Sequence, residues 1–333
     1  MNIIIPMAGM GKRMRPHTLT VPKPLIRLAG KTIVQRLVED IIQVMGQKVD
    51  EIGFVIGDFG TEVEENLLQI AAEVGASGRI FHQDKPLGTA HAIACAAPLL
   101  TGPVTIAFAD TLFRADLIQT GEHDGTIWIS EVEDPSAFGV VITDEYGTIT
   151  SFAEKPRTFI SNKAIIGIYS FREGSNLHQA IYHLLQHDLK KGGEYQLTDA
   201  LQHMLDQGMK LQAVRVEEWL DCGNKDATVH THQRILDNTR QSDLVSPEAQ
   251  VTDALIRPPC YIGHGVVISN SIIGPHVSVE QNTRIDHSII TNSVIQRDTV
   301  ISNANIDHSM IGSFVEFKGN VHDVSIGDYT SLS

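Results

Sequence analysis

The residues with the clearest chemical potential lie in the first loop. From Met7 the chain reads Met7-Ala8-Gly9-Met10-Gly11-Lys12-Arg13-Met14-Arg15-Pro16-His17-Thr18-Leu19-Thr20-Val21-Pro22-Lys23-Pro24. Gly9 and Gly11 let the backbone bend sharply and bring its N–H groups close to a bulky ligand, because no Cβ intervenes. Lys12, Arg13 and Arg15 place cations inside that bend, and Lys23 stands between two prolines that stiffen its backbone. Such a loop suits a chain of phosphates. For Gly-x-Gly-x-Arg alone, a surface loop with solvated charges explains the residues equally well. Two other phosphate loops are excluded: Gly-x-x-x-x-Gly-Lys-Ser/Thr does not occur, and Met14 stands where the Rossmann fingerprint needs its third glycine.

Further on, Gln83 precedes Leu87-Gly88-Thr89, where a helix can begin. A side-chain amide both donates and accepts, as the edge of thymine or uracil requires, and Gly88 leaves room for backbone contact with a base. A purely structural glutamine accounts for the same residues. His91 could face such a site or be an ordinary helix-surface or core histidine. Asp110 follows an apolar run at 104–108, placed either to hold Mg²⁺ or to cap a following helix. Glu154 can accept from sugar hydroxyls and Lys155 can meet a phosphate. An exposed ion-paired edge closed by Pro156 is the alternative.

These side chains need a scaffold. Ile3-Ile4-Ile5, ended by Pro6, predicts a short buried strand feeding the loop. Apolar spacing predicts helices over 32–45 and 61–74, strands at 52–56 and 80–82, and a helix from Thr89. This alternation implies an α/β domain with a mostly parallel sheet, which gathers ligands at the carboxyl ends of its strands. Between 126 and 169 the pattern turns antiparallel, with a turn at 144–147, and 226–236 reads as a helix.

Residues 239–252 are polar, with Pro247, and read as a linker. Beyond them Ser-Ile-Ile at 271 returns at 288, as Ser-Met-Ile at 309 and as Ser-Ile-Gly at 325, with an extra Ser-Val-Ile at 293. Ile262, Ile268, Ile273, Val279, Ile285 and Ile290 fall five or six residues apart. This is the hexapeptide pattern of a β-helix, whose turns bury aliphatics only by stacking on neighbours. Histidines 264, 276, 287, 308 and 322 occur here. A histidine base for acyl transfer is disfavoured, because only about four turns fit and no long loop could cover an acyl carrier.

Acidic residues outnumber basic ones 40 to 26 across 333 residues, a formal net charge of −14. That argues against a nucleic-acid or anionic-membrane surface. Three distant cysteines without a Cys-x-x-Cys imply reduced thiols, and neither a signal peptide nor a membrane-spanning run is read. The expectation is a cytoplasmic protein.

The whole first-loop run, Leu87-Gly88-Thr89-x-x-Ala92, Ala109-Asp110, Phe138-Gly139-Val140-Val141, Glu154-Lys155-Pro156, the strand around Gly167, the run from Glu194 to Asp199, and Trp219-Leu220-Asp221-Cys222-Gly223 resemble, in order, the motifs of the sugar-1-phosphate nucleotidyltransferases (NDP-sugar pyrophosphorylases). The resemblance covers about residues 1–236, with the repeats at 253–330. Departures are Ala8 and Ala109 where the family usually has Gly, and Lys12 where it often has Thr. The resemblance implies a Rossmann-like α/β nucleotidyltransferase domain with a mixed sheet at 1–238, a linker at 239–252 and a short left-handed parallel β-helix at 253–333. It implies that Ala8, Gly9, Gly11, Lys12, Gln83, Gly88 and Thr89 bind the nucleotide, Gln83 and Gly88 at the pyrimidine. Gly139, Glu154, Lys155 and Gly167 are then assigned to the sugar phosphate, and the run from Glu194 to Asp199 to a pocket wall. Asp110 and Asp221 would hold Mg²⁺, with Arg13 on the departing pyrophosphate and Lys23 on the α-phosphate. The implied substrates are dTTP, then UTP, with glucose 1-phosphate. GTP with mannose 1-phosphate is a third choice, and a catalytically silent nucleotide-sugar sensor is the alternative of a different class. A homo-oligomer is expected.

Overall fold

The computed structural model describes residues 1–9, 11–116, 123–240, 242 and 244–320. The chain forms two compact units, one of residues 1–26 with 32–223 and the other of 27–31 with residues from Asn224 onward. Met10, the repeat at 325 and His322 lie outside the described residues.

In chain order the elements to the end of α6 are β1 (Asn2–Pro6), β2 (Arg27–Leu28), β3 (Lys31–Thr32), α1 (Ile33–Met45), β4 (Glu51–Ile56), α2 (Thr61–Glu73), β5 (Ser77–His82), α3 (Thr89–Cys95), β6 (Val104–Ala107), β7 (Thr111–Arg114), β8 (Gly125–Glu131), β9 (Gly139–Thr143), β10 (Ile149–Glu154), β11 (Lys163–Phe171), α4 (Gly174–Gln186), α5 (Leu197–Asp206), β12 (Leu211–Arg215), β13 (Glu218–Asp221) and α6 (Lys225–Asp237).

The first unit is built on a nine-stranded mixed sheet ordered β10-β9-β11-β6-β1-β4-β5, with β8 on β11 and β12 beside β8. Its half around β1 is parallel, with β1 between β4 and β6. Beyond β6 the pairing turns antiparallel through β11. Ile3, Ile4 and Ile5 are fully buried, as expected of a strand covered on both faces. Helix α1 shows why its boundaries could be read. The Thr32 side chain accepts from the Gln35 N–H at its start, and Gly46 closes it in the left-handed region at φ 58°. Its apolar stripe of Ile33, Val34, Leu37, Val38 and Ile41 is completely buried.

Two elements differ from expectation. No helix follows Asp110; a strand, β7, begins at the next residue, so Asp110 is not a helix cap. Strand β11 runs for nine residues and breaks register against β8 between Ile165 and Tyr169, around Gly167 at φ 90°.

The second unit stacks short parallel strands in three ladders. One contains Gln250–Thr252, Val267–Ser269, Arg284–Asp286, Val300–Ser302 and Glu316–Lys318; two four-stranded ladders complete the turns. The stack is consistent with the expected left-handed β-helix. Ile268, Ile273, Ile285 and Ile290 fill its axis, each at most 1% exposed. The repeated serines and threonines have a definite task. Ser271 Oγ accepts from the Ser288 N–H, Ser288 Oγ from Ala304, Ser293 Oγ from Ser309 and Thr283 Oγ1 from Thr299, so each hydroxyl satisfies a backbone donor on the next coil. The histidines are explained in part by the corners. His276, His287 and His308 adopt positive φ at 57°, 45° and 48°, a region that histidine enters more readily than most residues.

Pairing starts earlier than the composition suggested. Within 239–252, Val245 already bridges Ile262 and Gln250–Thr252 is a strand. Helix α6, read with the first domain, groups with the second unit, as does the tip of the β2–β3 hairpin, whose Gly30 N–H donates to Glu280 Oε1 at 2.9 Å. Among the described residues no helix is long and apolar enough to cross a membrane.

Ser288→Ala is expected to lower stability by about 1–3 kcal/mol, because it strands the buried Ala304 N–H. Ile290→Ala, which opens a cavity, is expected to cost about 2–5 kcal/mol. Urea denaturation followed by circular dichroism measures both, and a Ser288→Ala loss below about 0.5 kcal/mol would contradict the ladder's role.

Candidate active site

Strand β1 delivers the loop, and Met7 still holds to the sheet through its N–H on Val55 O at 2.8 Å. The chain then turns at Gly11, φ 55°, where an added Cβ would lie 3.1 Å from Thr18 Cγ2 and 3.2 Å from Lys23 Cβ. The Thr18 hydroxyl donates to Gly11 O at 2.8 Å, folding the later part of the loop back on its start. The result is one wall of a cavity of about 420 Å³. Ala8, Gly9, Gly11, Lys12, Arg13, Lys23, Gln83, Gly88, Thr89 and Asp110 all line it. Gly139, Glu154, Lys155, Gly167 and Asp221 are not among its walls, although Gly223 is.

The two aspartates are brought together by long-range pairing. Strands β7 and β13 run antiparallel with Thr111 opposite Asp221, and the Cys222 N–H donates to Asp110 O at 3.0 Å. The Trp219 indole N–H donates to Thr111 Oγ1 at 2.6 Å and ties the same ladder from its side chains. Burial pushes the Asp221 carboxyl above the usual carboxylate range, and the charge of Asp110 adds to the push. The Gly223 N–H, Lys23 and Arg13 pull the other way. Lys23, with a side chain only 8% exposed, pairs with Asp110 Oδ2 at 3.0 Å. Two carboxylates, one partly desolvated, thus face cations from the first loop. Among the described residues no group of three or more His, Cys, Asp or Glu forms a complete metal cage. A hard-oxygen pair that leaves positions for phosphate and water fits Mg²⁺ rather than a structural zinc site.

At the other end of the cavity, Gly88 has φ 110°, and an added Cβ would lie 2.5 Å from Tyr195 O. The strand-like contact that needs this space is reciprocal: Tyr195 N–H donates to Leu87 O at 2.8 Å and Ala90 N–H to Tyr195 O at 3.0 Å. Thr89 Oγ1 accepts from the Leu197 N–H at 2.9 Å, so the run from Glu194 onward is clamped to this end, and Glu194 lines the cavity. Gln83 differs from the sequence reading. Its Nε2 donates to Gly88 O at 3.1 Å and lies 3.1 Å from His91 Nδ1, so its donors are engaged within the protein.

The residues expected at the sugar form a second group. Glu154 Oε2 accepts from Thr198 Oγ1 at 3.2 Å, and a Cβ on Gly139 would meet that same Oε2 at 3.1 Å. Lys155, 64% exposed at its side chain, pairs with Glu154 Oε1 at 3.6 Å. Phe108 N–H donates to Gly167 O at 3.0 Å, which joins this group to a wall residue of the cavity. Tyr169, edge-on to Phe108 with ring centroids 6.2 Å apart, has its hydroxyl pushed up by burial and then by the charges of Glu154 and Asp110. Phe108 was missed by sequence reasoning, because an aromatic in an apolar run reads as strand core, and Tyr169 entered only as part of the strand around Gly167. Thr198 lies in the run that the resemblance assigns to a pocket wall, and Gln196 occupies the cap position of the helix that follows.

A mixed sheet whose parallel half sends out a first loop that aims cations at paired carboxylates beyond strand ends describes a phosphate-handling α/β enzyme. The comparisons make the class specific. The nucleotidyl transferase family model matches residues 2–238, and the chain belongs to that family. A glucose-1-phosphate thymidylyltransferase of Streptomyces antibioticus is 29% identical over all of this chain and 99% of its own. The low-salt glycan biosynthesis nucleotidyltransferase Agl11 of Haloferax volcanii is 30% identical, covering 91% of this chain and 90% of its own. In fold, the nucleoside-diphosphate-sugar pyrophosphorylase of Vibrio cholerae RC9 superposes with a TM-score of 0.59 at 17% identity, over 69% of this chain and 99% of its own. The chain is a nucleotidyltransferase.

Because burial and Asp110 raise the folded-state pKa of Asp221, its ionised form works against folding. The penalty is absent below the unfolded carboxylate range and develops as pH climbs through the raised value. With EDTA present, Asp221→Asn is expected to raise the melting temperature by a few degrees at about pH 7.5, and the gain should shrink toward about pH 4. A gain that grew on acidification would contradict the arrangement.

Proposed function

We propose that the protein joins an NTP to a sugar 1-phosphate, forming an NDP-sugar and pyrophosphate. The observation that carries the reading is the Lys23–Asp110 pair in the cavity wall, with Asp221 set beside it by the β7–β13 ladder. Ala8, Gly9, Gly11 and Lys12 cradle the triphosphate through backbone and charge. Arg13 stabilises the departing pyrophosphate, and Lys23 shifts its charge from Asp110 towards the α-phosphate. Asp110 and Asp221 would hold Mg²⁺, which when bound neutralises phosphate oxygens.

Glu154, fixed by Thr198, accepts from sugar hydroxyls, and the Gly139 and Gly167 backbones border that subsite. Lys155, on its exposed arm, brings the sugar phosphate into line. A phosphate oxygen of the sugar 1-phosphate attacks the α-phosphorus and the bond to pyrophosphate breaks. No general base is needed, since the attacking oxygen is already ionised at neutral pH. Positioning and charge stabilisation supply the rate. The full-length similarity to a glucose-1-phosphate thymidylyltransferase favours dTTP and glucose 1-phosphate, with UTP next and GTP with mannose 1-phosphate third.

Pyrophosphate release measured over dTTP, UTP, GTP, CTP and ATP, each with a panel of sugar 1-phosphates, identifies the pair. Turnover is expected with dTTP and glucose 1-phosphate and should stop on chelation of divalent ions. Arg13→Ala and Asp110→Ala are each expected to lose about 10²–10³-fold in kcat with unchanged circular dichroism. Absence of turnover with every pair would overturn the reading in favour of a silent nucleotide-sugar sensor.

A further inference from the structure

The hydrogen bonds around Gln83 carry an inference about base selection that rests on the nucleotidyl transfer proposed above and deepens it. Gly88 O is a carbonyl and can only accept, so the part of the Gln83 amide facing it at 3.1 Å is the NH₂ group. That same Nε2 lies 3.1 Å from His91 Nδ1. A ring nitrogen facing an amide NH₂ must accept, which places the proton of a neutral imidazole on its own Nε2. Burial lowers the His91 pKa and so favours this neutral ring. Both N–H bonds of Gln83 are then committed. What the side chain can offer a ligand in the cavity it lines is Oε1, an acceptor.

We propose that His91 is a positioning residue that fixes the Gln83 amide and restricts the site to nucleobases presenting a ring N–H to it: thymine, uracil and guanine, against adenine and cytosine. The ring nitrogen at the corresponding edge of adenine or cytosine carries a lone pair. Set against Oε1 it leaves two acceptors facing each other, the kind of mismatch by which polar sites reject analogues most strongly. Rotating the amide to meet such a base would set Oε1 against Gly88 O, which can only accept, and would force His91 into the tautomer that carries its proton on Nδ1. The lock therefore has two parts, one from the backbone turn at Gly88 and one from helix α3. Loss of His91 leaves only the first.

The test uses the full chain with Mg²⁺ and compares uracil with cytosine on the same sugar, as UTP against CTP and dTTP against dCTP. Binding is read by calorimetry and turnover by pyrophosphate release with glucose 1-phosphate. The wild type is expected to prefer the N–H base in both pairs. His91→Phe, which keeps ring volume but has no acceptor, should reduce that preference at least ~10-fold, through affinity and with kcat for the preferred nucleotide changed less than about threefold. His91→Asn, whose side-chain oxygen can accept near the Nδ1 position, should restore it. A wild type without preference, or a His91→Phe variant that retains it in full, overturns the proposal while nucleotidyl transfer stands. If no NTP binds or turns over with the wild type, the reading on which the proposal rests fails first.

Discussion

Two neighbouring carboxylates, Asp110 in the cavity wall and Asp221 beside it, repel each other, and the architecture around them is arranged to hold them there. Strands β7 and β13 are only four residues long each, yet their pairing sets Thr111 against Asp221 and the Cys222 N–H on Asp110 O. Burial first, and then this repulsion, push the Asp221 carboxyl above the usual carboxylate range. Lys23, nearly buried and paired with Asp110, offsets it from the side of the first loop. The sheet supplies the rigidity: β1 lies between β4 and β6 and is buried on both faces, so the loop that leaves it starts from a fixed point. A site that concentrates like charges in this way is organised for a ligand that brings opposite charge, at some expense to the stability of the free protein.

Much of this was legible in the sequence wherever the signal is local. The spacing of Ile33, Val34, Leu37, Val38 and Ile41 specified α1, and Thr32 and Gly46 marked its ends, because capping and periodicity act within a few residues. The loop glycines and cations were readable for the same reason, and the structure places Gly9, Gly11, Lys12, Arg13 and Lys23, though not Arg15, in the wall of one cavity. What was not legible depends on contacts between distant segments. Nothing near Asp110 announces that a strand rather than a helix follows, since β7 exists by pairing with β13. Gln83 reads as a free amide until the φ of 110° at Gly88 turns a carbonyl towards it. Phe108 and Tyr169 look like core because an aromatic in a strand gives the same pattern whether it covers a core or borders a site.

The repeats show the same division. The aliphatic period identified the β-helix because one isoleucine per side per turn is what its axis can hold. The serines were read as markers of the repeat, but Ser271, Ser288 and Ser293 are buried acceptors that satisfy the N–H groups of the coil above. Histidines 276, 287 and 308, already disfavoured as acyl-transfer bases, are corner residues in the left-handed region. They acquire partners there, His287 with Asp286 at 2.7 Å and His276 with Asp237 at 2.7 Å, which is a geometric use of histidine rather than a catalytic one. Side-chain type alone could not separate the two, because backbone conformation at a corner is set by the stacking of whole coils.

The central claim is that Asp110 and Asp221 act as one site for a divalent ion shared with the nucleotide. Electron paramagnetic resonance of Mn²⁺ titrated into the full chain with dTTP measures it directly. The account predicts one tightly bound Mn²⁺ per chain that depends on the nucleotide and disappears in the Asp110→Asn, Asp221→Asn double variant. Equal Mn²⁺ occupancy in that double variant would contradict it.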